Sequence, residues 1–245
     1  LEQTVKERTS EVVQQKELIE IKQKEIVDSI NYAKRIQGAM LASDQLFDSN
    51  LKNYFLFFQP KDIVSGDFYW ASAMANGNFV LVTADSTGHG VPGAMMSMLN
   101  ISCLNEAVSE RKLIDPADIL NHARQRIISS LSQDGSLEGG KDGMDCSVLV
   151  FDFKKKKLLY AGANNPVWIA RKNKDGVTDL IEIKPDRMPV GKHDKDTVPF
   201  TTHAMDLQKD DMVFAPTDGV ADQFGGTKGK KFTYRKLKEL LVSNS

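Results

Sequence analysis

Three short segments carry carboxylates where a chain can aim several of them at one point. They are Ser65-Gly66-Asp67-Phe68-Tyr69-Trp70, Ala84-Asp85-Ser86-Thr87-Gly88-His89-Gly90 and Pro216-Thr217-Asp218-Gly219-Val220. In each, an aspartate stands at the mouth of an apolar run with glycine close by, and glycine lets the backbone turn sharply or approach another segment closely. Taken one at a time, each of these aspartates is a turn former. Brought to one edge, however, carboxylate oxygens, backbone carbonyls and water are the ligand set of a hard divalent cation. Convergence of Asp67, Asp85 and Asp218 would therefore make a Mg²⁺ or Mn²⁺ site. Asp142 and Asp145, in Lys141-Asp142-Gly143-Met144-Asp145, stand just before a further apolar run. No Ser/His/Asp or Cys/His arrangement suggests a side-chain nucleophile.

The elements that must hold these residues follow from local pattern. Asn53 to Phe58, Asn78 to Ala84, Cys146 to Phe153, Lys157 to Ala161, Val167 to Arg171 and Asp211 to Ala215 read as strands from their β-branched and aromatic content. Pro92 to Arg111 and Pro116 to Ser132 have helical spacing, the second with Asp115 placed to cap it ahead of its proline. Strand, two long helices, then a run of strands is the order of an α+β protein with helices packed on antiparallel sheets. The lysines at 154–157 fit a solvated hairpin turn between two strands.

Before this region, Leu1 to Met40 has no proline, a single late glycine at Gly38 and many Glu, Gln, Lys and Arg residues, which predicts one long helix of roughly 60 Å. Val5, Val12, Ile19, Ile26, Ala33 and Met40 recur every seven residues and form one column of a heptad seam. The second column is interrupted by Arg8, Gln15 and Lys22, so the pattern predicts a weak or switchable homodimer rather than a permanent zipper. A solvated helix docked on the domain by its apolar edge is the alternative. The sequence thus divides into a helical linker over 1–42 and a globular domain over 43–245.

Composition narrows the remaining classes. Lys and Arg number 32 against 33 Asp and Glu, a formal net charge of −1, so no basic field invites nucleic acid or an anionic membrane. The two cysteines, Cys103 and Cys146, belong to no CxxC or Cys/His cluster, which fits a reducing, cytoplasmic setting. No apolar run approaches the ~20 residues that cross a bilayer. The chain opens inside a helical pattern without an initiator Met, as a piece of a larger protein would, and such a protein could carry a membrane anchor upstream.

Five segments, PKDIVSGDFYW, ADSTGHGVPGAMMSMLN, DGMDCSVLVFD, AGANNPVWI and TDGVADQFGG, occur in the order and at about the separation found in SpoIIE/RsbU-like phosphatases of the PPM superfamily. The resemblance runs from about Ser43 to the C-terminus. It implies a PPM-type β-sandwich of two antiparallel sheets flanked by helices. It also implies a bacterial enzyme in which two divalent cations, Mn²⁺ or Mg²⁺, activate water for attack on phosphoserine or phosphothreonine of a partner protein. Position by position, Asp85 resembles the aspartate that bridges both metals, and the Ser86 backbone carbonyl resembles a further ligand. Asp67 resembles the ligand of one metal and Asp218 that of the other. Asp145 resembles a carboxylate that related phosphatases place near a weakly held third metal. Lys61, six residues before Asp67, is a candidate grip for substrate phosphate, with a merely solvated lysine as the alternative. His89 is either structural or a proton-transfer aid, and Asn164 and Asn165 shape a turn.

The resemblance further implies a phosphoprotein substrate such as an anti-sigma-factor antagonist, with the N-terminal helix carrying the activating signal. One departure stands out. The family closes with an Asp-Asp pair entering a final strand, whereas this sequence ends at Leu240 to Ser245 before such a pair. The expectation is a domain short of one edge strand and one metal ligand, weakly active or inactive as it stands. A binding or scaffold module with this fold, and a hydrolase of small phosphoesters, are the competing readings.

Overall fold

A computed structural model describes residues 2–132, 142–227 and 229–245, with only the backbone described at 2, 4 and 5. The first element, α1 (Glu2–Met40), is the long helix that the sequence predicts. From Lys6 to Ser29 every side chain on it is exposed, and only its last turns dock, through Ile30, Ala33, Gln37 and Met40. A short helix α2 (Asp44–Asn50) follows, N-capped by Ser43, whose side chain accepts from the Leu46 N–H, and it buries Phe47. Among the described residues, no helix is long and apolar enough to cross a membrane.

The main sheet begins with β1 (Phe68–Ala73) and β2 (Phe79–Ser86). Helix α3 (Gly90–Asn105) continues into a π-helical turn over Glu106–Glu110. The expected helix over Pro92 to Arg111 is thus real, but its last turn is wound more loosely. Helix α4 (Pro116–Leu131) starts where its cap predicts, with Asp115 accepting from the Ala117 and Asp118 N–H groups. Then come β3 (Gly143–Asp152), β4 (Lys157–Ala163), β5 (Val167–Lys172), β6 (Thr178–Ile183), β7 (Val190–Gly191), β8 (His203–Asp206) and β9 (Met212–Phe214). A small hairpin of β10 (Phe224–Gly225) and β11 (Lys230–Lys231) leads into α5 (Thr233–Ser243).

Two antiparallel sheets result, one in the order β1-β2-β3-β4-β8 with β7 also on β3, the other in the order β6-β5-β9. Alternation along the strands decides what each face covers. Val80, Val82, Ala84, Val148 and Val150 of the main sheet pack with Ile101 and Leu104 of α3 and Ile119, Leu120 and Ile127 of α4. On the opposite face, Phe79, Leu149, Phe151, Leu158 and Tyr160 meet Val167 and Ile169 of the second sheet. The outer side of that sheet is closed by α5, where Leu237 packs with Trp168 and Ala221. Helices, sheet, sheet and helix therefore stack as four layers, and the fold is the α+β sandwich that the sequence implies.

One expected strand is corrected. Residues 53–58 form no strand, and their aromatic rings work instead: Tyr54 packs on Phe47 at 5.1 Å between centroids and Phe55 reaches Phe214 at 6.4 Å. The aromatic content that reads as strand propensity serves packing over the sandwich edge. Conversely, β1, β6 and β8 appear where the sequence marks no strand. Each is an edge strand or begins at a turn, where apolar alternation is weak.

Candidate metal centre

The register of three adjacent strands builds the site. Phe68 pairs with Ala84, and Asp85 pairs with Asp145. Extending β1 backward by one residue brings Asp67 beside Asp85, so Asp67, Asp85 and Asp145 form a row across β1, β2 and β3. By alternation, Asp85 shares its face with Phe79, Leu81 and Thr83, the face turned toward the second sheet. The row thus lies at one end of the sandwich, on its inner side.

The fourth carboxylate arrives from the second sheet. After β9 the chain turns at Thr217-Asp218-Gly219, and the Thr217 hydroxyl donates to Asp67 Oδ2 at 2.9 Å. A Cβ placed on Gly219 would lie 3.3 Å from the same oxygen, so Gly219 is small because Asp67 passes beside it. Asp218, between these two contacts, bears on the row from the facing side. The Ser86 carbonyl lies against Gly66, where a Cβ would come within 3.0 Å of it and within 2.6 Å of the Gly88 carbonyl.

Crowding of like charge shifts these groups in one direction. Burial, then a hydrogen bond to Asp67 and its charge, then the charges of Asp218 and Asp145, push the Asp85 carboxyl up to about 8. Two carboxyl groups can hydrogen-bond only when one keeps a proton, and that is the ordinary consequence of like charges sharing a buried place. Asp145 is raised by burial, against the Asn164 amide that donates to its Oδ1 at 2.8 Å. Asp218 is raised by burial first and then by Asp222, Asp67 and Asp145.

Four carboxylates brought to one end of the sandwich, with neighbouring backbone carbonyls, are oxygen donors suited to Mg²⁺ or Mn²⁺. Among the described residues, no three His, Cys, Asp or Glu side chains are drawn together tightly enough to cage an ion by themselves. Backbone carbonyls and water must complete any coordination shell here.

Other expected residues sit at the margin. Lys61 is exposed on the loop before Ser65. His89, its side chain 90% exposed, stands with Nδ1 3.5 Å from Asp62 Oδ2, a partner that the sequence did not single out. Asp142 enters β3 with its carbonyl against Gly191. Asn164, at φ 57°, shapes the expected turn and also holds Asp145. Asn100 is a residue that sequence reading missed: fully buried on α3, it donates to Ser86 Oγ at 3.0 Å and toward the Gly143 carbonyl at 3.5 Å, tying the ends of β2 and β3. No local signal in a Met- and Leu-rich helix announces it.

The known family described as stage II sporulation protein E (SpoIIE) matches residues 75–245. The chain belongs to the SpoIIE family. It is accordingly a serine/threonine phosphatase of bacterial signalling, in a family whose enzymes depend on metal. The SiaA-PP2C domain of Pseudomonas aeruginosa is similar at 30% identity and a TM-score of 0.77, over 91% of this chain and 84% of that one. The PP2C phosphatase domain of SpoIIE from Bacillus subtilis, solved with a fragment of its regulatory domain, shares the fold at 15% identity and a TM-score of 0.53, over 65% of this chain and 43% of that one. RsbX in complex with magnesium shares it at 17% identity and a TM-score of 0.50, over 76% and 83%. No curated protein matches the SpoIIE-family chain in sequence.

Proposed function

We propose that Asp67, Asp85, the Ser86 carbonyl and Asp218 hold two divalent cations, Mn²⁺ or Mg²⁺, at the end of the sandwich, and that the chain hydrolyses phosphoserine or phosphothreonine on a partner protein. The observation that carries the proposal is the row of Asp67, Asp85 and Asp145 across three strands with Asp218 bearing on it from the facing sheet. Asp85, central in the row, is the bridging ligand, and Asp145 serves a weaker third position. When bound, the cations supply an activated water and neutralise charge on the phosphoryl oxygens. The chain's own part is to orient those ligands and receive substrate. Thr217 and Asn100 fix the carboxylate-bearing segments, while Lys61, exposed on the loop that leads to Asp67, grips the phosphate.

A substrate that is itself a folded phosphoprotein, of the anti-sigma-factor-antagonist kind, suits a centre at an open sandwich end. The helical linker over 1–42 serves as the input element to a phosphatase domain over 43–245, pairs with a second copy through its exposed heptad column, and works in the cytoplasm. The test is hydrolysis of p-nitrophenyl phosphate and of a phosphoserine peptide with and without Mn²⁺, by the chain and its Asp85→Asn variant. Mn²⁺-dependent turnover that vanishes in the variant supports the proposal. A folded chain that binds Mn²⁺ and turns over neither substrate would instead favour a binding module.

A further inference from the structure

Downstream of Asp218 the chain makes a small arm whose root and tip differ in kind. The root is stitched into the turn that carries Asp218: the Asp222 N–H donates to the Asp218 carbonyl at 2.9 Å, and the Gln223 side-chain amide donates to the Gly219 carbonyl at 3.0 Å. The returning strand closes on it, with the Phe232 N–H donating to the Gln223 carbonyl at 2.8 Å and the Thr233 N–H to the Ala221 carbonyl at 2.7 Å. Ala221 is fully buried, and Phe232 and Tyr234 pack against its cluster with Trp168 and Leu237. The arm is thus anchored at its base by the same core that seats α5.

Beyond this base, β10 and β11 pair with each other and with no other described strand. A two-stranded hairpin alone is marginal in water, and here every described residue from Gln223 to Lys231 is exposed. A Cβ added at Gly225, Gly226 or Gly229 would meet nothing within 4 Å, so both flanks stand open. The Phe224 ring is 75% exposed and contributes little to the packing of its own hairpin. A large aromatic surface so placed is suited to covering an apolar group of another molecule.

The register says which way that ring faces. Phe224 pairs with Lys231, and directly opposed residues of an antiparallel pair share a face. Alternation puts Asp222 on the same face, and Lys231 Nζ lies 2.6 Å from Asp222 Oδ1. The face is turned toward the metal centre, since the Lys231 charge reaches Asp218 and opposes the rise that burial and Asp222 cause there. Outward from the centre the arm therefore presents an ion pair and then, roughly 7 Å further along the strand, an aromatic ring.

We propose that the β10–β11 arm reads the phosphoprotein beside its phosphoserine: Phe224 covers an apolar side chain of the segment that presents the phosphoserine, and the lysines of β11 favour that segment's negative charge. Position fixes the occupant, because the arm grows out of the Asp218 turn and a chain delivering phosphoserine to the carboxylate row runs alongside it. The inference rests on the phosphoserine-phosphatase reading of the centre and adds to it a source of selectivity. A small phosphoester ends at the metal centre and does not reach Phe224.

The test uses the whole chain with Mn²⁺ and compares p-nitrophenyl phosphate with phosphoserine peptides that carry Leu, Glu or Gly at successive positions on either side of the phosphoserine. Wild type should favour Leu over Gly at one such position by about tenfold or more in kcat/KM. In Phe224→Ser that preference should disappear, and the ratio of peptide to p-nitrophenyl phosphate turnover should fall by a like factor. Phe224→Arg should move the preference from Leu to Glu, a gain that a misfolded arm does not produce. A wild-type chain that hydrolyses p-nitrophenyl phosphate but treats all peptides alike, or a Leu preference that survives in Phe224→Ser, would overturn the role of the arm and leave the phosphatase reading standing. Turnover of neither p-nitrophenyl phosphate nor any peptide would overturn both.

Discussion

The Thr217 hydroxyl donates to Asp67 Oδ2 at 2.9 Å across 150 residues of sequence, and this bond joins the two sheets at the site. Thr217 follows the second sheet and Asp67 enters the first, so the bond fixes the spacing of Asp67 from Asp218. A hydrogen bond to a charged group contributes about 1.5–3 kcal/mol, and ~1.4 kcal/mol is a factor of ten in affinity. Thr217→Val should therefore raise the half-saturating Mn²⁺ concentration by about tenfold or more, while Thr217→Ser, which keeps the hydroxyl, stays near wild type. Equal behaviour of the two variants in a Mn²⁺ titration of turnover would remove this bond from the account.

The Asp85 carboxyl, pushed up to about 8, fixes the sign of a pH effect. A group whose folded pKa is raised contributes stability that is fully present below its unfolded value, near 4, and is lost as pH rises toward 8. Asp145 and Asp218 are raised in the same direction. In EDTA, then, the unfolding midpoint should fall as pH rises from about 4 to about 8, and Asp85→Asn should flatten that fall. Protons compete with cations for the same oxygens, so Mn²⁺ should stabilise the chain more at pH 8 than at pH 5. Calorimetric scans with and without Mn²⁺ across this range check both signs, and a midpoint in EDTA that rises steadily with pH would contradict the assignment of the cluster.

How far these features were legible depends on the range of the interactions that make them. Asp67, Asp85 and Asp218 could be picked out because glycine and a strand mouth mark each within a few residues. Asp115 declared the start of α4 for the same reason. The pairing of Asp85 with Asp145 is a matter of register between strands about 60 residues apart, which no local pattern contains. Gln37 and Asn100 were invisible for a related reason, since their partners lie 28, 60, 14 and 43 residues away. Residues 53–58 misled because aromatic side chains favour strands through packing, and here they pack without any ladder.

On α1 the heptad column leaves Val12, Ile19 and Ile26 exposed at 63%, 63% and 60%. Two copies lying side by side would cover them, while Arg8, Gln15 and Lys22 in the second column keep the pairing weak. Sedimentation should show a dimer that forms with increasing concentration, and Ile19→Asp with Ile26→Asp should shift the whole population to monomer. A distribution that ignores this double change would show that the column does not mediate association.

Three glycines give a graded test of close packing near the site. A Cβ at Gly66 would come within 2.6 Å of the Gly88 carbonyl oxygen, and one at Gly93 within 2.4 Å of the same atom. Both obstacles are backbone, which cannot rotate away, so the loop holding Asp67 or the first turn of α3 must shift. Gly66→Ala and Gly93→Ala should therefore lower stability in EDTA and also weaken Mn²⁺ binding, because the displaced segments carry Asp67 and follow Ser86. Gly38 is the control, since nothing lies within 4 Å of its added Cβ and it sits inside α1. There alanine narrows the unfolded ensemble and suits the helix, so Gly38→Ala should stabilise by about 0.5–1 kcal/mol. Its helix position, one residue beyond Gln37, also predicts unchanged Mn²⁺ affinity. Thermal unfolding and Mn²⁺ titration of the three variants decide this, and a Gly66→Ala protein with wild-type affinity would mean that the segment before Asp67 can move without disturbing the centre.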